Sequence, residues 1–176
     1  FGGCKAYGQG FIVSPSIASN WASAHKKNKS VLFPYLTGED LNNQPTSVPS
    51  RWAIDFTGMS EVEAAEYKLP FDHTKAHVKP ERDRDPETFK ATPWWQYFRP
   101  RPALRRAIKN KDQVLAIAVV SKSVMPVRVP TRQVFSHAVA VFATDSYAMQ
   151  CILSSSPHQL WAIRYGSGMR NDPRYT

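Results

Sequence analysis

The sequence predicts an α+β fold, a single domain built on a mixed, largely antiparallel twisted sheet with flanking helices. Three observations predict it. Apolar stretches of strand character and capped helical stretches both recur along the whole chain. They do not alternate strictly, as a doubly wound sheet would require. The 176 residues, 42% of them hydrophobic, suffice for one core and fall short of the usual length of two. No internal repeat is visible.

The elements follow in order. Gly10-Phe11-Ile12-Val13 reads as a short strand. Ser14-Pro15 then gives an N-cap with proline at the first helical position, where the missing N–H costs nothing, and the helix should run to about Asn28. Val31 to Tyr35 leads into Gly38-Glu39-Asp40-Leu41, and the Pro, Ser and Asn content from Asn42 to Ser50 is that of a loop. Arg51 to Phe56 alternates as a half-buried strand. Ser60 and Glu63 have capping-box spacing, so a helix starts there and breaks near Pro70, with a second helical stretch from Phe71 to about Asp83. Residues 84 to 100 hold Trp94, Trp95, Tyr97 and Phe98, too many aromatics for a disordered linker. Pro102 opens a short basic helix to Lys109. Val114 to Val120 is the strongest strand and should be central. Strands at Val124 to Val129 and Ala138 to Phe142 flank the connection Pro130-Thr131-Arg132-Gln133. Ser146 to Ser154 and Pro157 to Tyr165 read as helices.

The net charge is +9. Residues 75 to 132 hold fourteen of the 23 Lys and Arg against five acids, a local net of +9, so the remainder sums to zero. Charge gathered in one segment suits a polyanionic partner, and a merely solvated face is the alternative. No apolar run reaches the roughly 18 residues of a membrane span, so no membrane partner is expected. Phe1-Gly2-Gly3-Cys4 has no initiator Met or signal pattern, as expected of an internal fragment. Two distant cysteines, with Cys151 in an apolar stretch where a buried thiol is expected, suit a reduced, cytoplasmic protein.

Enzymatic constellations fail on spacing. His73 and His77 stand four apart, but Thr74 occupies the place of a metalloprotease Glu, and no metal is expected. Glu81, Asp83, Asp85 and Glu87 alternate with Arg82, Arg84 and Pro86 in a segment that looks solvated, where mutual neutralisation is simpler than a magnesium cluster. Glu87-Thr88-Phe89-Lys90 has one residue too many for a nuclease Glu-x-Lys pair. Gly8-Gln9-Gly10 lacks a third glycine, and Gly166-Ser167-Gly168 lacks the flanks of a nucleophile elbow. No Asn-Pro-Pro-Tyr-type tetrapeptide, with which adenine-N6 methyltransferases grip a flipped base, is present. No catalytic residue is expected.

In order along nearly the whole chain stand Gly10-Phe11, Phe33-Pro34-Tyr35-Leu36, Gly38-Glu39-Asp40-Leu41-Asn42, Pro49-Ser50-Arg51-Trp52, Lys79-Pro80-Glu81-Arg82-Asp83, Trp94-Trp95-Gln96, Arg101-Pro102, Val120-Ser121-Lys122, Phe135-Ser136, Val141-Phe142 and Arg174-Tyr175. This ordered set resembles the specificity region of MmeI-like DNA methyltransferases, the single-chain type II restriction-modification enzymes. The resemblance implies a target-recognition-domain-like fold over 1–176 and a non-catalytic role: reading double-stranded DNA for a fused adenine-N6 methyltransferase. The methyltransferase domain of the same polypeptide would be the second partner. S-adenosylmethionine would bind there, outside this fragment, and the fragment itself would hold no cofactor.

In that family, side chains near the end of the region choose base pairs, and the matching stretch is Met169 to Pro173, with Pro173 as a departure that stiffens the loop. Arg170 and Asp172, with Asn171 between them, carry over as base readers. Arg pairs bidentately with guanine and Asp accepts from the cytosine amine, which suits a G·C pair; an Arg–Asp pair on a surface loop is the bland alternative. His137 joins them as a base-edge candidate. Lys122, Arg128, Arg132 and Arg174 are expected mostly on phosphates, and Arg99 and Arg101 begin an electrostatic track that continues through Arg105 and Arg106. Trp94 and Trp95 are expected to anchor a core or an interface. Two other classes remain open: a metal-dependent nuclease, and a module that docks only on its own polypeptide.

Overall fold

A computed structural model describes residues 1–169 and 172–175. In chain order its elements are β1 (Ile12–Val13), α1 (Pro15–Ala24), β2 (Leu32–Leu36), α2 (Gly38–Asn43), β3 (Arg51–Ile54), α3 (Glu61–Ala65), α4 (Lys68–His77), α5 (Lys79–Asp83), α6 (Pro86–Phe89), α7 (Pro102–Ile108), β4 (Gln113–Ala118), β5 (Val127–Pro130), β6 (Val134–Phe135), β7 (Val139–Phe142), α8 (Tyr147–Leu153), α9 (Ser156–Tyr165), β8 (Ser167–Met169) and β9 (Asp172–Arg174). The class is α+β. The strands divide among separate sheets with antiparallel pairing. The residues gather in two compact units: the first holds 1–3, 36–49 and 101–176, the second 4–35 and 50–100. Among the described residues no helix is long and apolar enough to cross a membrane.

In the second unit β3 lies between β1 and β2, with Ile12 opposite Ala53 and Leu32 opposite Ile54. Its core joins Ala18 of α1, Ala64 of α3 and Phe71 of α4 to Val31, Leu32, Ile54 and Phe56, with Trp94 and Trp95 packed against it. The tryptophans thus anchor a core, and the Trp95 indole donates to the Met59 carbonyl at 3.0 Å. Ser14 caps α1 by accepting from the Ile17 amide. The helix stops at Ala24, short of the expected Asn28: His25 turns extended (φ −143°, ψ 116°) while its amide still donates to the Trp21 carbonyl, and the Asn28 side-chain amide folds back onto the same carbonyl at 2.9 Å. Pro70 does not break a helix. It is the third residue of α4, within the turn whose N–H groups have no helical partner, and the break falls before Lys68.

Arg82 is another departure from expectation. Read from sequence as part of a solvated charged run, it is 3% exposed. Its guanidinium donates to the carbonyls of Ala6 (3.0 Å), Tyr7 (3.2 Å), Pro93 (2.9 Å) and Gln96 (2.7 Å) and lies over the rings of Phe11 and Phe89. Burial lowers its pKa to about 10; it stays charged at neutral pH and ties two stretches of backbone, 6–7 and 93–96, together.

In the first unit β4 is central between β5 and β7, with Ala116 opposite both Val127 and Val141. Five of its six residues are buried, which explains the unbroken apolar run. Leu104 and Ile108 of α7 complete that core with Val129, Phe135, Val139 and Leu36. Strand β5 starts at Val127; Val124 instead joins a smaller cluster with Ile117 and Ala162. The expectation for Cys151 is overturned: it is exposed on α8, whose buried residue is Leu153, and the buried thiol is Cys4.

Candidate nucleic-acid interface

Two clefts in the first unit share one short helix. Thr37 and Asp40 form a reciprocal capping box at the start of α2: the Asp40 carboxylate accepts from the Thr37 amide at 2.9 Å and hydroxyl at 2.7 Å, and the Thr37 oxygen accepts from the Asp40 amide at 3.2 Å. Gly38 lets the helix approach the turn before β7, since a Cβ there would stand 3.1 Å from the Ala138 carbonyl oxygen. At the other end the Asn42 amide donates to the Val120 carbonyl at 2.9 Å, fixing α2 beside the end of β4.

One cleft, of about 490 Å³, lies between Asn42, Asn43, Val120, His137 and Arg174. The other, of about 470 Å³, is walled by Asn42, Asn43, Ala118, Lys122 and Ser123. Asn42 and Asn43 therefore separate a cleft holding Arg174 from one holding Lys122. His137 sits on the turn in which Ser136 accepts from the Ala138 and Val139 amides, and it is exposed. Arg174 arrives on the β8–β9 hairpin, which is tied to the end of β4 by the Val120–Arg174 bridge, by the Ser121 amide on the Pro173 carbonyl (3.3 Å) and by the Tyr175 amide on the Val119 carbonyl (2.7 Å).

The structure thus brings His137 and Arg174 into one cleft and puts Lys122 in its neighbour. Arg128 has internal work: its guanidinium sits 4.1 Å over the Tyr147 ring and donates to the Asp145 carbonyl (2.7 Å) and the Gln150 side chain (3.0 Å), holding the start of α8. Arg132 is exposed on the turn after β5. Arg101 is exposed at the left-handed position before α7 (φ 55°) and donates to the Gly3 carbonyl at 3.2 Å. Arg99 belongs to the second unit, where its backbone exchanges hydrogen bonds with Lys5 and its guanidinium lies 5.6 Å over Phe98. Arg170 and Asn171 lie outside the described residues. Asp172 is described by its backbone, opposite Met169, and its side chain lies outside the described atoms. Among the described residues no group of three or more metal-ligating side chains converges.

Helix α2 and its asparagines were missed in the sequence, although Thr37 and Asp40 carry the capping spacing with Asp in place of Glu. The short strands β8 and β9 carry too little alternation to announce a hairpin.

No protein-family model matches the sequence, and no curated protein matches it. Among solved structures the chain is similar to the type IIL restriction-modification enzyme MmeI, solved in complex with DNA, with a TM-score of 0.76 and 16% sequence identity. The match covers 99% of this chain and 23% of that one, so the chain spans about a quarter of that protein's length. At this identity the likeness shows a common fold.

Proposed function

We propose that the chain is a DNA target recognition domain that reads duplex sequence for an S-adenosylmethionine-dependent adenine-N6 methyltransferase on the same polypeptide. The observation that carries the reading is the fold, common over 99% of the chain to part of a restriction-modification enzyme solved with DNA. The placement of polar groups supports it. Lys122 and Arg174 flank the two asparagines of α2, an arrangement suited to phosphates on either side of a base edge. Asn43 offers donors and an acceptor there, and an Asn amide pairs with the N6/N7 edge of adenine; His137 lines the same cleft. Arg170, Asn171 and Asp172 remain base readers in this reading by the resemblance alone. The chain performs no methyl transfer itself and holds no cofactor.

The test is selection from a randomised duplex pool by the purified chain at low salt, followed by a salt titration of the enriched DNA. Enrichment of one short word is expected. Salt-sensitive binding with no enriched word would mean that reading needs a further domain. A second reading, a module that docks only on its own polypeptide, draws on the exposed Tyr147, Ile152, Leu160, Trp161 and Tyr165 of α8 and α9; absence of duplex binding at any salt favours it.

A further inference from the structure

We infer that His158 and Tyr175 are positioning residues that hold Arg174 in its cleft, an inference that rests on the DNA-reading function proposed above. Arg174 closes β9 and Tyr175 is the next residue, and the two side chains have different surroundings. Arg174 lines the cleft and is exposed. Tyr175 packs inward with Ile117, Phe142 and Ala162, its ring 5.9 Å from that of Phe142 and close to perpendicular to it.

The inward ring is held at its tip. The Tyr175 hydroxyl lies 3.1 Å from His158 Nε2, and His158 Nδ1 lies 2.6 Å from the Leu153 carbonyl. A carbonyl can only accept, so Nδ1 carries the hydrogen; Nε2 of the neutral ring is then the acceptor, and Tyr175 donates to it. Burial raises the Tyr175 pKa above its usual 10, so at neutral pH the hydroxyl carries the proton it donates. The chain of bonds therefore runs from the last turn of α8 through α9 to Tyr175. Beside it, the Tyr175 amide on the Val119 carbonyl and the Ser121 amide on the Pro173 carbonyl fasten the strand to the residues that follow β4. Neither His158 nor Tyr175 lines the cleft, yet together they fix where the strand bearing Arg174 sits.

The test compares the wild-type chain with Tyr175→Phe, which keeps the ring and loses the hydroxyl, and with His158→Leu. Two quantities are read: amide hydrogen exchange, and the slope of log affinity against log salt for the selected and a scrambled duplex. Tyr175→Phe is expected to speed exchange at positions 175 and 121 while the amides paired between β4 and β7 keep their rates. It is expected to weaken binding to both duplexes about fivefold, on the order of one lost hydrogen bond, and to lower the slope of log affinity against log salt by about 0.9, one phosphate contact. His158→Leu should do the same, and the double variant should be little worse, because both remove one bond. A purely structural role, acting through loss of folded chain, would weaken both duplexes and leave the slope unchanged. Unchanged exchange overturns the tether. Faster exchange with an unchanged slope overturns its part in DNA binding. A wild-type chain that binds no duplex at any salt overturns that part through its premise, and is told apart because exchange still responds.

Discussion

The second unit carries twelve Lys and Arg against nine Asp and Glu, and the first eleven against five, yet the difference lies less in number than in what the cations touch. In the second unit Arg82 is spent on backbone carbonyls inside an aromatic cluster, and Lys27, Lys68 and Lys90 pair with Glu66, Asp72 and Glu87. That unit holds fourteen of the chain's 21 aromatic residues. In the first unit Lys111 and Arg128 converge on Asp145, but Lys122, Arg132 and Arg174 are exposed, with no hydrogen bond or ion pair to their side chains among the described residues. A run of basic residues in sequence therefore counts two populations as one. Only cations not already committed inside the fold are open to phosphate, and the clefts beside α2 have them.

The largest effect should come from the committed population. Arg82→Ala leaves the carbonyls of Ala6, Tyr7, Pro93 and Gln96 without their donor and is expected to cost about 3–5 kcal/mol in urea unfolding. Arg82→Lys should rescue little, because an ammonium lacks the fork that reaches four acceptors. A loss below about 1 kcal/mol would show that the carbonyls are satisfied otherwise and would erase the contrast between the units.

Next in size are the helix caps, which offer a matched pair. Thr37 and Asp40 in the first unit are 6% and 2% exposed, whereas Ser60 and Glu63 form the same box at the surface of the second unit. Thr37→Ala is expected to cost about 2 kcal/mol and Ser60→Ala about 0.5–1 kcal/mol in the same measurement. Thr37→Ala should also weaken duplex binding, since α2 carries both asparagines to the clefts. Equal costs would mean that burial does not strengthen the first cap.

A smaller effect distinguishes the free cations. Lys122→Ala should weaken binding to all duplexes alike and reduce the slope of log affinity against log salt by about 0.9, one phosphate contact, while stability changes by less than about 0.5 kcal/mol. Lys75→Ala, on an exposed face of the second unit, should leave the slope alone. A loss of slope from both variants would spread the DNA surface beyond the first unit.

Legibility in the sequence followed the range of the stabilising interactions. The cap of α1 and the strand β4 were readable because Ser14-Pro15 and the buried run from Val114 to Ala118 act through near neighbours or through burial on both faces. Arg82 was misread because its acceptors lie as far off as Ala6 and Gln96, brought together only by folding. Pro70 was misread because its effect depends on where the helix starts. At the site, residue type marked His137, Lys122 and Arg174 as surface polar groups, but nothing local says that the first and last enter one cleft with Asn43. That proximity is a product of the hairpin bonds at Val119 and Ser121.

The smallest effect asks how the second unit treats a charge it has not satisfied. His73 is partly buried, its ring stacked 4.2 Å from that of His77 and edge-on to Trp21 at 5.2 Å. Burial first, and then repulsion from His77, lower its pKa below the usual 6.5. Above pH 6.5 the ring is neutral in both folded and unfolded chains, and its contribution is constant. As the pH falls from there towards the lower folded value, the unfolded chain takes up the proton first, so stability decreases; below the folded value the loss stops growing. The urea midpoint should therefore fall on acidification through this window, and less steeply in His73→Gln. A slope unchanged by that substitution would assign the acid sensitivity to other groups. Tolerance of buried charge in this unit would then not depend on the carbonyl cage that Arg82 enjoys and His73 lacks.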